Sequence, residues 1–215
     1  MSSSSQPVEW DYELFTDYQR ILIVEIATVL SRIRSFPNEI PSLTEDTRPV
    51  HCNFFSKLVP AEHSYFAGHY RGENYPALIN YCVMVEGDPR VGCPPNLVFN
   101  VMNSQLLPLI QSVFLRLNSK NISNLTAQQR LYLCAHLSCI VFELFLRIHP
   151  YANGNGHIGR FIVQSIMGYL GFWPTNGHWT IEPKPRLRAQ YTQCIIDFRN
   201  GNPTPLIAFI LQGYL

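Results

Sequence analysis

The chain has no excess of either charge and few charged residues at all. Sixteen Lys and Arg stand against 15 Asp and Glu, a net of +1 in 215 residues, and charged side chains make up 14% of the sequence. A protein that grips a nucleic-acid backbone needs a basic face, so broad nucleic-acid binding is excluded. A local anion site is not. There is no CxxC pair among Cys52, Cys82, Cys93, Cys134, Cys139 and Cys194, so no zinc ribbon or redox motif is readable, and the cysteines are expected to be free thiols in a reducing compartment. No HExxH or other paired-ligand spacing joins His51, His63, His69, His136 or His178. The first residues, MSSSSQPVEWDYE, carry no basic flank and no apolar stretch, and the run Ile21 to Leu30 is short and interrupted by Glu25. A cytoplasmic protein with no membrane partner is the expectation. Internal repeats, low-complexity tracts and a GxGxxG loop are also absent.

What is present is a large apolar fraction, 47%, which at this length suits one core. Helical periodicity over Leu14 to Ile33 predicts a first helix, closed by Pro37 and Pro41, with residues 37–52 read as a loop. Ile79 to Val85 is β-branched and aromatic, Glu86-Gly87-Asp88-Pro89 is a turn signal, and Arg90 to Cys93 can return, which predicts a small β-hairpin. A helix from about Pro95 to Leu117 should bend at Pro108. Thr126-Ala-Gln-Gln129 has capping-box spacing before a long apolar helix ending near Ile148. Helices follow over about 157–170, 184–199 and 204–214. The expected fold class is all-α, with residues 1–60 a helical extension packed on a body spanning 61–215.

The chemistry is concentrated in Ile148-His-Pro-Tyr-Ala-Asn-Gly-Asn-Gly-His-Ile-Gly-Arg160. Pro150 disfavours helix at His149, so the apolar helix should stop there and free the imidazole. Gly154 and Gly156 flank Asn155 at the start of the next helix, where left-handed backbone angles and unpaired N–H groups make a phosphate cradle. Arg160 lies about one turn further on, with a fork suited to a second phosphate. His149, with an ordinary pKa near 6.5, is the natural general base. On the residues alone, an ordinary helix–helix turn with a structural histidine is the commoner reading of such a segment.

His149 to Arg160 resembles the signature of the Fic (Fido) family, His-Pro-Phe-x-Asp/Glu-Gly-Asn-Gly-Arg-x-x-Arg. Phe66-Ala-Gly-His-Tyr-Arg71 is similar to the segment that leads into that family's β-hairpin flap, and Tyr191 with Gly201-Asn202-Pro-Thr-Pro-Leu206 is similar to its C-terminal region. The likeness covers roughly residues 60–215. It implies a Fic-like helical bundle and transfer of AMP, or another nucleoside monophosphate, from ATP or a related nucleotide to a Ser, Thr or Tyr hydroxyl of a target protein. His149 would take the hydroxyl proton; Gly154, Asn155 and Gly156 would hold phosphate oxygens, the Asn155 side chain assisting; and Arg160 would balance the leaving charge. Tyr191 would touch the base, and the hairpin, through Val83, Val85 and Val91, would pin the target by strand addition.

Two positions depart from the pattern. Asn153 stands where the family carries its acidic Mg²⁺ or Mn²⁺ ligand, and a neutral amide should hold such an ion less well. His157 replaces the first arginine and should oppose phosphate charge weakly. A different donor, the reverse removal reaction or a non-catalytic nucleotide- or peptide-binding module are the alternatives these departures open. The Ser-x-x-x-Glu spacings ending at Glu9 and Glu39 contain proline and make poor inhibitory helices, so the expectation is no internal brake, or one supplied by a separate inhibitor protein.

Overall fold

Pro41 and Pro49 set the course of the N-terminal region, because a proline in the first turn of a helix gives up an N–H that has no intrahelical partner there. In the computed structural model, which describes residues 9–83, 85, 88–184 and 188–215, the stretch read as a loop is two short helices, α2 (Ile40–Glu45) and α3 (Arg48–Phe55), each with proline in its first turn. The first helix, α1, runs Tyr18–Ser35, later than the periodicity suggested, and Leu14 is left 83% exposed in a preceding 3-10 turn. α1 stops two residues before Pro37, as expected, with Phe36 out of the helical region, and Pro37 then opens a second 3-10 turn.

The next helix is continuous in direction but changes winding. α4 (Pro95–Val101) passes through a π turn, Met102–Leu106, into α5 (Leu107–Leu117). The π turn immediately precedes Pro108, whose missing N–H would interrupt an α ladder there, so a wider turn absorbs the break. After the short α6 (Lys120–Ser123), α7 (Ala127–Ile148) starts at the expected capping box: Thr126 Oγ1 accepts from Gln129 N and Gln129 Oε1 accepts from Thr126 N. α8 (Asn155–Tyr169) packs along α7, and α9 (Arg188–Arg199) and α10 (Thr204–Leu211) close the bundle. Both the α4–α5 stretch and α7 have the length and hydropathy of a bilayer span, but most of α7's apolar surface is buried in the bundle. One core cluster takes residues from Trp10 to Tyr214, so α1 to α3 share it with the rest of the chain.

No strand forms among the described residues of 79–93, which differs from the expected hairpin; Met84, Glu86 and Gly87 lie outside the described residues. The reason lies in where the return arm sends its amides. Gly92 N donates to Arg147 O at 3.0 Å and Cys93 N to Ile148 O at 3.1 Å, capping carbonyls that a helix end leaves without partners. Arg71, 1% exposed, completes that cap through Nε to His149 O and Nη2 to Ile148 O and Cys93 O. A cation at a helix C-terminus is also favoured by the helix dipole.

The α7–α8 contact that fixes the site depends on Gly159. A Cβ there would lie 2.7 Å from Cε2 of the fully buried Phe142 ring. Gly159→Ala is therefore expected to destabilise the fold by about 1–3 kcal/mol through overpacking, outweighing the gain in helix propensity. Thermal denaturation reads this directly, and an unchanged or raised Tm would contradict it.

Candidate active site

Six residues, 149–154, join α7 to α8. The turn begins with His149 in the left-handed region, φ 55°, its N–H donating to Phe145 O, and ends with Gly154 at φ 78°. Gly154 is required twice over, since a Cβ would lie 2.4 Å from the Phe55 ring. Asn155 ties the turn together: its Oδ1 accepts from Tyr151 N at 2.9 Å and its Nδ2 donates to Tyr151 O at 2.8 Å. Tyr151 is buried, hydrogen-bonded to Thr47 and stacked on the His51 ring at 3.8 Å. His51 Nδ1 accepts from Gly68 N, so its proton sits on Nε2, which donates to Asn153 O at 3.0 Å. Burial pushes the pKa of His51 down to about 3 and keeps it neutral in this role.

His149 lines a cavity of about 390 Å³ together with Asn153, Gly154, Asn155, Gly156, His157, Arg160 and Tyr191. The expected site residues of the turn and of α8 thus meet in one hollow. Burial, then the neighbouring Arg71 charge, lowers the His149 pKa to about 4, so the ring is neutral at pH 7. Its Nδ1 lies 3.3 Å from Leu146 O; a proton held there leaves Nε2 with a free lone pair.

The cradle differs in detail from its sequence reading. Gly154 N is occupied by Asn153 Oδ1 at 2.7 Å. The amides of Asn155 and Gly156, the first two of α8, have no acceptor among the described residues and are the available anion donors. The Asn155 side chain does not assist a phosphate, because both its ends are spent on Tyr151. Arg160 is 3% exposed and donates Nε and Nη2 to Ile181 O. No carboxylate lies within 4 Å of it among the described residues. Tyr191 is buried with its hydroxyl beside Arg160.

His157 is not a weak phosphate cation. Its Nε2 lies 2.7 Å from Glu182 Oε2 with both side chains buried, and the Tyr12 and Phe55 rings meet its edge. Burial lowers its pKa despite the carboxylate, so it serves as a neutral donor to Glu182. Val85 and Val91 line the cavity, but Val83 does not. Val85 and Val91 belong to a folded-over segment pinned by Asp88, which pairs with Arg90 at 2.8 Å and with Arg199 at 2.8 Å; Arg199 also reaches Glu143 on α7 at 3.0 Å. Arg90, with Arg199 behind it, holds the Asp88 carboxyl well below the usual carboxylate range.

Sequence reading missed Asp88, Glu182, Lys184, Arg188 and Arg199, all of which line or abut the cavity. Only charge on scattered loops and α9 could have pointed to them, and no motif contains them. Glu39, a candidate internal brake, instead pairs with Arg32 at 2.6 Å and does not line the cavity. For the other, Glu9, the preceding Ser5 to Val8 lie outside the described residues.

Asn153 does not fit the metal role. Its Oδ1 holds Gly154 N, and its Nδ2 donates to Trp10 O at 3.0 Å. Trp10 is itself anchored through Nε1 to Leu58 O. Glu13 and Asp88, the carboxylates that line the cavity among the described residues, are paired with Lys184 and with Arg90 and Arg199. Among the described residues no three His, Cys, Asp or Glu side chains converge. Comparison with protein-family models and with the curated proteins finds no match.

The amide of Asn153 thus fastens the N-terminal segment to the turn. Asn153→Asp should lose the bond to Trp10 and set a carboxylate oxygen against its carbonyl, at a cost of about 1–3 kcal/mol. A Tm lower by several degrees is expected; an unchanged Tm would show that this side chain is free for another task.

Proposed function

We propose that this protein is a nucleotidyltransferase that moves a nucleoside monophosphate from a nucleotide donor to a hydroxyl of a target protein. The observation that carries the proposal is the meeting, in one cavity, of a neutral imidazole, two helix N-terminal amides and a buried arginine, the amides without an acceptor and the arginine without a counter-charge among the described residues. An anion answers the last two, and a proton acceptor beside it is what a hydroxyl nucleophile needs. The resemblance of His149 to Arg160 to the Fic (Fido) motif supports the same reaction.

The amides of Asn155 and Gly156 hold the non-bridging oxygens of the phosphorus under attack, where charge builds up in the transition state. Arg160 steadies the adjoining phosphate. His149 Nε2 takes the proton as the acceptor oxygen bonds to phosphorus, and the bridging oxygen leaves on the remaining phosphate. Tyr191, Ile195 and Ile196 offer an apolar wall for the base or sugar. Val85 and Val91 line the cavity beside Asp88, which Arg199 ties to α9, and take the place of a flap for the target chain. Mg²⁺ or Mn²⁺ is assigned no residue of this chain, since the donor set around Asn153 does not suit one.

The test is transfer of label to proteins of a cell lysate from nucleotides carrying ³²P on the phosphate next to the nucleoside, both the triphosphates ATP, GTP, UTP and CTP and diphosphate esters such as ADP-ribose, UDP-glucose and GDP-mannose. Labelling is expected with at least one nucleotide and should fall about 100-fold or more in His149→Ala. Label transfer indifferent to His149 would refute the base, and no transfer with nucleotide still bound would assign the cavity to a binding module.

A further inference from the structure

The charge balance of the cavity bears on which donor it takes, granted that the cavity is the nucleotide site proposed above. Among the described residues six charged side chains line it: Glu13, Asp88, Arg160, Lys184, Arg188 and Arg199. Lys184 is paired with Glu13, and Arg199 is paired twice, with Asp88 and with Glu143. Among the described residues, only Arg160 and Arg188 face the cavity with no carboxylate within 4 Å. His157, one helical turn before Arg160, adds no positive charge, because burial keeps it neutral. Behind it stands the buried carboxylate of Glu182. The next residue back, Ile181, supplies the carbonyl that holds Arg160. Phosphate charge extending past Arg160 toward His157 therefore meets a neutral ring backed by an anion.

We infer that the donor is a nucleoside diphosphate ester, with a substituent on its second phosphate, rather than a free nucleoside triphosphate. Such a pyrophosphate diester carries two negative charges, matching Arg160 and Arg188, whereas a metal-free triphosphate carries about four. The apolar lining, Val85, Val91, Leu146, Ile195 and Ile196, gives the uncharged ends of a diester a surface that a terminal phosphate could not use. The step balances. The acceptor oxygen bonds to one phosphorus, the bridging P–O bond breaks with its electron pair on the departing phosphate monoester, and the hydroxyl proton passes to His149. The monoester leaves with less negative charge than pyrophosphate would, so one buried arginine suffices as its partner.

Calorimetric titration of the full chain without divalent ions tests this, with three matched pairs: ADP-ribose against ATP, UDP-glucose against UTP, and GDP-mannose against GTP. In at least one base series the diester should bind about 10-fold or more tightly than the triphosphate. Glu182→Gln, which removes the anion behind His157, should improve triphosphate binding several-fold and change diester binding less. Triphosphate binding equal to or tighter than diester in every series that binds would overturn the donor assignment while leaving the cavity a nucleotide site. A selectivity unmoved by Glu182→Gln would overturn the charge argument. Binding of none of the six would overturn the nucleotide reading itself.

Discussion

The two hydrogen bonds between the Asn155 side chain and the Tyr151 backbone hold the site in being. They close the α7–α8 turn into a ring whose inside is protein and whose rim is the first turn of α8. Without that ring, neither the left-handed His149 nor the open amides of Asn155 and Gly156 would have a fixed place. The ring is buttressed from behind by His51, whose tautomer is dictated by Gly68 N and which meets both the ring of Tyr151 and the carbonyl of Asn153. A buried neutral histidine can do this only because it accepts at one nitrogen and donates at the other.

Two helix ends face each other across this turn and are treated oppositely. The carbonyl end of α7 is closed by Arg71 and by the amides of Gly92 and Cys93. The amide end of α8 stays open to the cavity and has Arg160 beside it. A buried cation without a counter-charge is costly, by several kcal/mol in an idealised interior, and a bound phosphate offsets that cost. The protein thus spends its polar contacts on rigidity at one end and leaves the other unsatisfied, which is what a preorganised anion site requires. The neutrality of His149 follows from the same arrangement, since burial and Arg71 both disfavour its protonated form.

Legibility in the sequence tracked how local each signal was. The Thr126 capping box, the long apolar α7, its stop at His149 and the glycine turn into α8 are written in consecutive residues, and the structure has them. The segment 37–52 reads as a loop only if Pro41 is a stop, whereas in the structure Pro41 and Pro49 sit in the first turns of α2 and α3, where a proline starts a helix. The strand pattern over 79–93 has the right composition, yet its amides are drawn to the carbonyl end of α7, a tertiary preference that no window of sequence contains. The side-chain roles of Asn153, Asn155 and His157 depend on Trp10, Tyr151 and Glu182. Of these only Tyr151 is near in sequence. The motif located the site, while partners distant in the chain decided what its side chains do.

The account stands on an unprotonated His149 ring beside free α8 amides, and nitrogen-15 NMR observes both in one sample. The imidazole of His149 should titrate near pH 4 and remain neutral at pH 7. A saturating diphosphate nucleotide at that pH should displace the amide signals of Asn155 and Gly156 more than any others in the α7–α8 turn. A His149 ring titrating at 6.5 or above, or nucleotide-induced shifts that spare those two amides, would contradict the account.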